Sequence, residues 1–179
     1  MQIFSNVSWH DADGNECEDE IVEQEVENYT SLGGKIFIGV DSMFRSGKCS
    51  FVSVIAFHDK KLKIAKYFYK RLKRTSSIYS DLQTKIFEEV NMSLQLAEYV
   101  RQLCPKAKIE LHVDIGKKQT CATKKFYSLV KGWVKGSGLN LKLNHIRGLH
   151  HLLPTGTPNR RLKWQSQLKN VQQKYQSST

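Results

Sequence analysis

The sequence predicts a mixed α/β fold: a five-stranded sheet, built in the order βββαβαβ and flanked by helices. Three observations carry the prediction. Three β-rich runs follow one another at turn-length spacing between 35 and 74. A long apolar repeat with steps of three and four fills 78–103. Two further apolar runs, 109–116 and 139–147, are separated by a second helical pattern. Strands joined by short turns pair as antiparallel hairpins, whereas strands reached through a helix return by a crossover, so the two kinds of connection together give a mixed sheet.

Taken in order, residues 1–15 read as irregular. The DADGN run holds its glycine in fourth place, whereas a calcium loop of the EF-hand type needs glycine sixth and a glutamate twelfth, so it is not one. From Glu16 to about Ser31, the residues Ile21, Val22, Glu25 and Tyr29 fall at near-helical spacing, giving an acidic amphipathic helix that ends near Leu32-Gly33-Gly34. KIFIGVDS (35–42) is apolar and β-forming, and reads as a buried central strand. The turn-like RSGK leads into CSFVSVIAFHD (49–59), and KLKIAKYFYKRLKR (61–74) makes the third strand. Leu82, Ile86, Val90, Leu94, Ala97 and Val100 mark the long helix, which Pro105 ends. IELHVDIG (109–116) is the fourth strand. Phe126, Leu129, Val130 and Trp133 set a helix over 122–138, stopped by Gly136 and Gly138, and LNLKLNHIR (139–147) is the fifth strand. The chain thus divides into an acidic N-terminal segment (1–33), the sheet domain (34–148) and a basic tail (149–179), helical over 160–174.

No apolar run approaches the roughly 18 residues of a membrane span, and the N-terminus lacks the basic and apolar regions of a signal peptide. Cys17, Cys49, Cys104 and Cys121 lie far apart, with no C-x-x-C pair, which fits reduced thiols in a cytoplasmic protein better than a zinc site. The formal charge of +11 is unevenly placed: residues 1–30 hold nine acidic side chains and no Lys or Arg. The remaining body carries 28 basic residues against eight acidic ones, a net of +20, and such a body attracts nucleic acid through its phosphates.

Two strands share a form, apolar residues followed by Val-Asp: FIGVDS with Asp41 and LHVDIG with Asp114. A carboxylate inside such a run is expensive to bury unless it is paired, protonated or bound to metal. Neighbouring strands lie about 5 Å apart and can bring two such acids together. Glu89 borders the buried stripe of the long helix and can lean over the sheet toward them, although an i,i+4 pair with Lys85 would also account for it; Glu88 is expected to face solvent. Three hard oxygen donors of this kind suit Mg²⁺ or Mn²⁺.

On these stretches, IFIGVDSM, KIFEEVNMSLQLAEYV and ELHVDIG, the chain resembles the ribonuclease H-like superfamily, and within it the YkuK-type family, over roughly residues 20–147. The resemblance implies a ribonuclease H-like sheet and a divalent-metal-dependent nuclease acting on RNA, an RNA–DNA hybrid or structured DNA. It implies Asp41, Glu89 and Asp114 as metal-holding catalytic residues. The superfamily often adds a fourth acid after the fifth strand, but this chain has no Asp or Glu beyond Asp114; His145, His150 and His151 stand there instead, and His145 and His150 are candidate catalytic residues. Phosphate contacts are expected from Lys117, Lys118, Lys124 and Lys125 beside Asp114, from Lys70 and Arg71 in the aromatic-rich third strand, and from Arg160 and Arg161 in the tail. The alternative is a non-catalytic nucleic-acid-binding module on the same fold. An actin-like ATPase fragment fits less well, because the chain lacks glycine-rich phosphate loops.

Overall fold

The computed structural model describes residues 7–59, 64–75, 77–113, 115 and 123–142. The elements are β1 (Trp9–His10), β2 (Glu16–Cys17), α1 (Asp19–Ser31), β3 (Lys35–Arg45), β4 (Lys48–Asp59), β5 (Ile64–Thr75), α2 (Leu82–Leu103), β6 (Lys108–His112), α3 (Tyr127–Gly136) and β7 (Asn140–Lys142), with single 3-10 turns at Ser77–Ser80 and Lys124–Phe126. Among the described residues the sheet has seven strands in the order β2-β1-β5-β4-β3-β6-β7. The βββαβαβ succession holds, but the count of five strands is corrected to seven. Of the two extra strands, β1 lies in the stretch 1–15 read as irregular, and β2 takes Glu16 and Cys17 from the start of the expected helix, which begins at Asp19 instead. Each has only two residues, too few to carry a period-two pattern, and Asp11–Asn15 between them is rich in turn-forming residues: Asp11 Oδ1 accepts from the amides of Asp13 and Asn15, at 2.9 Å each.

β3, β4 and β5 form an antiparallel meander. The β3–β4 connection is a two-residue turn with Arg45 opposite Lys48; Ser46 (φ 51°) and Gly47 (φ 73°) both lie in the left-handed region, as a primed hairpin turn requires. β6 runs parallel to β3, pairing Lys35 with Lys108 through Gly39 with His112, and β7 runs parallel to β6. Both crossovers contain a helix, as parallel pairing demands.

One face of the sheet carries the main core. Ile36, Ile38 and Val40 of β3, Phe51, Ile55 and Phe57 of β4, Phe68 of β5 and Leu111 of β6 pack with Val22, Val26 and Tyr29 of α1, Ile86, Val90, Leu96 and Val100 of α2, and Val130 and Val134 of α3. The side chains alternate, so Phe37, Gly39 and Asp41 occupy the other face of β3. On that face Val52, Val54, Ala56, Tyr67, Tyr69 and Glu110 are also buried. α2 begins at an Asp81 cap whose carboxylate accepts from the Thr84 amide (2.8 Å) and hydroxyl (2.9 Å), which holds its pKa below the ordinary carboxylate value. Among the described residues no helix is long and apolar enough to cross a membrane.

The acidic helix α1 is joined to the sheet by both packing and charge. Glu25 pairs with Lys66 (2.6 Å) and Asp19 with Lys70 (2.9 Å), both on β5, and the Tyr99 hydroxyl of α2 donates to Glu23. Two of the nine N-terminal acids, Asp19 and Glu25, therefore pair with the adjacent basic strand.

Candidate active site

Glu89 is the best-defined member of the expected acidic set. The buried stripe of α2 runs through Ile86, Glu89, Val90, Ser93, Leu96, Ala97 and Val100, so the helical period carries one carboxylate into an otherwise apolar and small-residue surface. Glu89 is only 8% exposed, and a carboxylate that deep requires donors. Ser42 of β3 supplies one, its hydroxyl donating to Glu89 Oε1 at 2.5 Å. One turn along the helix, the Ser93 hydroxyl donates to the Glu89 carbonyl (2.7 Å). Glu89 therefore looks onto β3, and Glu88 is half-buried rather than open to solvent.

Asp41 is the residue before Ser42. It is half-buried, lies opposite Val52 in the β4 ladder, and sits two residues beyond the Gly39–His112 pair of the β6 ladder. Strand alternation directs Ser42 toward α2 and Asp41 toward the other face. Both carboxylates act electrostatically on Cys49 of β4. Burial raises the pKa of the Cys49 thiol, and the charges of Glu89 and Asp41 add to that rise, while a side-chain hydrogen bond with Ser42 and the charge of Lys85 act against it. Cys49 pairs with Phe44 near the hairpin turn that joins β3 to β4.

Asp114, the third expected carboxylate, lies outside the described residues, as do His145, His150, Lys117, Lys118, Arg160 and Arg161. Among the described residues no three His, Cys, Asp or Glu side chains are grouped to hold a metal ion. The donors available, Glu89, Asp41 and the Ser42 hydroxyl, are all hard oxygens of the type that Mg²⁺ and Mn²⁺ prefer.

The expected phosphate contacts divide. Lys124 and Lys125 are exposed in the 3-10 turn before α3, with the Lys125 ammonium 4.9 Å from the centre of the Phe126 ring. Phe126 packs edge-on against Phe87 (5.7 Å), two residues before Glu89, which brings this basic turn to the α2 segment that carries the acid. Arg71 is half-buried. Lys70 does not serve as expected: it is 2% exposed, its ammonium pairs with Asp19 and lies 4.8 Å from the centre of the Trp9 ring. Tyr67, Phe68 and Tyr69 are likewise buried, so the aromatic run on this strand does not offer its rings to bases. Alternation sends Lys70 to the face that α1 covers, and the sequence does not show where α1 lies.

Two residues on these strands were not singled out from the sequence. Ser42 was hidden because attention falls on the acid beside it, although a hydroxyl one residue from a strand carboxylate is placed to reach the other face. His112 is the second. It sits on the Asp41 face, its Nε2 3.0 Å from Glu110 Oε1 and its ring edge-on to Phe37, while the second oxygen of Glu110 takes Lys35 at 2.9 Å.

No curated protein and no solved structure matches the chain. A family model described as ribonuclease H-like matches residues 18–144, a span that takes in every element from α1 to β7. With a mixed sheet whose first long strand, long helix and following parallel strand fall within that match, the chain belongs to the ribonuclease H-like family.

Proposed function

We propose that the chain is a divalent-metal-dependent nuclease that hydrolyses phosphodiester bonds in RNA, an RNA–DNA hybrid or structured DNA. The observation that carries this reading is the Ser42–Glu89 hydrogen bond, which ties the buried carboxylate of α2 to the residue adjoining Asp41. The parallel pairing of β3 with β6 sets the strand that carries Asp41 beside the strand that precedes Asp114 in the sequence, which supports the third member. In this reading Asp41, Glu89 and Asp114 would hold Mg²⁺ or Mn²⁺, which when bound supplies an activated water and stabilises the leaving oxygen. Ser42 orients Glu89, and the apolar stripe around Glu89 excludes competing water. Lys124 and Lys125 neutralise substrate phosphates next to the acids, as would Lys117, Lys118, Arg160 and Arg161, while His145 or His150 would move a proton in place of a fourth carboxylate. The free thiols Cys17, Cys49 and Cys104 fit a reducing, cytoplasmic setting.

A second reading, a non-catalytic nucleic-acid-binding module, is favoured by one observation. Alternation sends Asp41 and Glu89 to opposite faces of β3, and a metal bridging them needs the strand end to twist. Incubation of single-stranded RNA, hybrid duplex, double-stranded DNA and a four-way junction with wild type and Asp41→Asn in Mg²⁺ or Mn²⁺ decides between them. Metal-dependent cleavage by wild type that disappears in the variant supports the nuclease. Binding by both proteins with no cleavage by either supports the module.

A further inference from the structure

At the opposite end of the sheet from Asp41, the N-terminal ends of β3 and β6 border a cavity of about 320 Å³, lined by Lys35, Arg101, Lys108 and Glu110 over an apolar floor that includes Ile109 and Leu139. Three cations and one carboxylate converge there. The carboxylate is already committed: Glu110, 5% exposed, accepts from Lys35 (2.9 Å) and lies 3.0 Å from His112 Nε2. The other two cations are held mainly by neutral groups. Arg101 donates to the Ser137 carbonyl at 3.3 Å, with the exposed Glu98 carboxylate as its one acidic neighbour among the described residues, at 3.8 Å, and Lys108 donates to the Gly33 carbonyl at 3.3 Å. Among the described residues Lys108 has no acidic partner. These are long bonds to weak acceptors, and a stronger acceptor would draw both side chains from them.

From this geometry we propose that the cavity is an anion site that takes a phosphate group. A guanidinium with its planar fork and an ammonium acting as a point charge are the pair that phosphate recognition uses most. The cavity volume lies at the small end of ligand pockets, enough for a mononucleotide-sized molecule, and the apolar floor could receive a base or other flat apolar group beside the phosphate. Lys35 and Asp41 are six residues apart on β3, roughly 20 Å at a strand rise of about 3.3 Å, so the site is separate from the acidic one. The phosphate belongs to a free phosphorylated small molecule or to the backbone of a strand that also reaches the acids. The second source rests on the nuclease reading; the presence of the site does not.

The test is an amide chemical-shift titration of the full chain, without divalent metal, using inorganic phosphate, a nucleoside 5′-monophosphate and oligonucleotides of increasing length. Saturable shifts at Lys108, Gly138 and Leu139 are expected. They should weaken about tenfold or more in Arg101→Gln/Lys108→Gln, as losing charge-assisted hydrogen bonds implies, and persist in Asp41→Asn. Should the double variant not fold, Lys108→Gln alone is expected to weaken binding in the same sense. A monophosphate that binds as tightly as any oligonucleotide identifies a small ligand, and affinity that climbs with length identifies the backbone. Shifts that do not saturate, that fall elsewhere, or that are unchanged in the folded variant overturn the proposal. Because Asp41→Asn is expected to abolish cleavage and spare this binding, failure of either reading is visible without the other.

Discussion

Removing the Ser42 hydroxyl is the sharpest perturbation of the acidic site, because it deletes a donor without touching a carboxylate. Glu89 is 8% exposed, so in Ser42→Ala its Oε1 loses a protein donor at a depth where water replaces it poorly. A hydrogen bond to a charged group is worth about 1.5–3 kcal/mol. For a chain of this size each kcal/mol moves the midpoint by roughly 2–4 °C, so Tm should fall by about 3–12 °C. The charge can be isolated with a cycle. Glu89→Gln keeps the shape and leaves a neutral acceptor, for which the same hydroxyl is worth only about 1 kcal/mol. The proteins to compare by urea unfolding at pH 7, free of divalent metal, are wild type, Ser42→Ala, Glu89→Gln and the double variant. Ser42→Ala should cost more when introduced into wild type than when introduced into the Glu89→Gln variant. A loss within about 0.5 kcal/mol of zero, the level of an ordinary surface substitution, or an equal loss in both backgrounds, would refute the claim that Ser42 supports a buried charged carboxylate.

Other outcomes follow from the same structure. A Cβ on Gly34 would come within 2.2 Å of the Tyr29 ring, which is 3% exposed, so Gly34→Ala should destabilise by about 1–3 kcal/mol in thermal unfolding, and a neutral result would contradict this packing. Burial and the hydrogen bond to Glu23 raise the Tyr99 hydroxyl above its ordinary pKa of 10.0. The folded state therefore holds that proton more tightly than the unfolded one, and this stabilisation is complete below pH 10 and lost as pH rises further. Tyr99→Phe should flatten the alkaline fall in stability, and an unchanged alkaline limb would count against the assignment. Lys70→Gln should leave nucleic-acid affinity unchanged because the side chain is buried, whereas Lys124→Gln/Lys125→Gln should weaken binding and lower the salt slope by about 2; equal effects in a salt-dependent binding assay would argue against this division of the basic residues.

The sheet was legible because its strands are long where they matter. KIFIGVDS and CSFVSVIAFHD state their burial in composition, and the steps from Leu82 to Val100 define α2 without help from other elements. β1 and β2 were not legible, because two-residue strands are fixed by tertiary pairing, here His10 with Tyr69, and by the full burial of Trp9, neither of which leaves a local pattern. The acids on β3 and α2 could be picked out because a carboxylate in an apolar stripe is anomalous on its face. The connection between them could not, since it runs through Ser42, whose type is unremarkable on a strand. Lys70 was misread for a related reason. Its sequence neighbours are basic and aromatic, as in a nucleic-acid surface, but its spatial neighbours are Asp19 and Trp9, both distant in the chain.

The most direct test of the acidic site is Mn²⁺ binding to the full chain, followed by electron paramagnetic resonance, for wild type, Asp41→Asn, Glu89→Gln and Asp114→Asn. Wild type is expected to bind, and each variant to bind at least about tenfold more weakly, the loss of roughly 1.4 kcal/mol that removing one charged ligand should exceed. Equal Mn²⁺ affinity in all four proteins would contradict a metal site built from these three carboxylates.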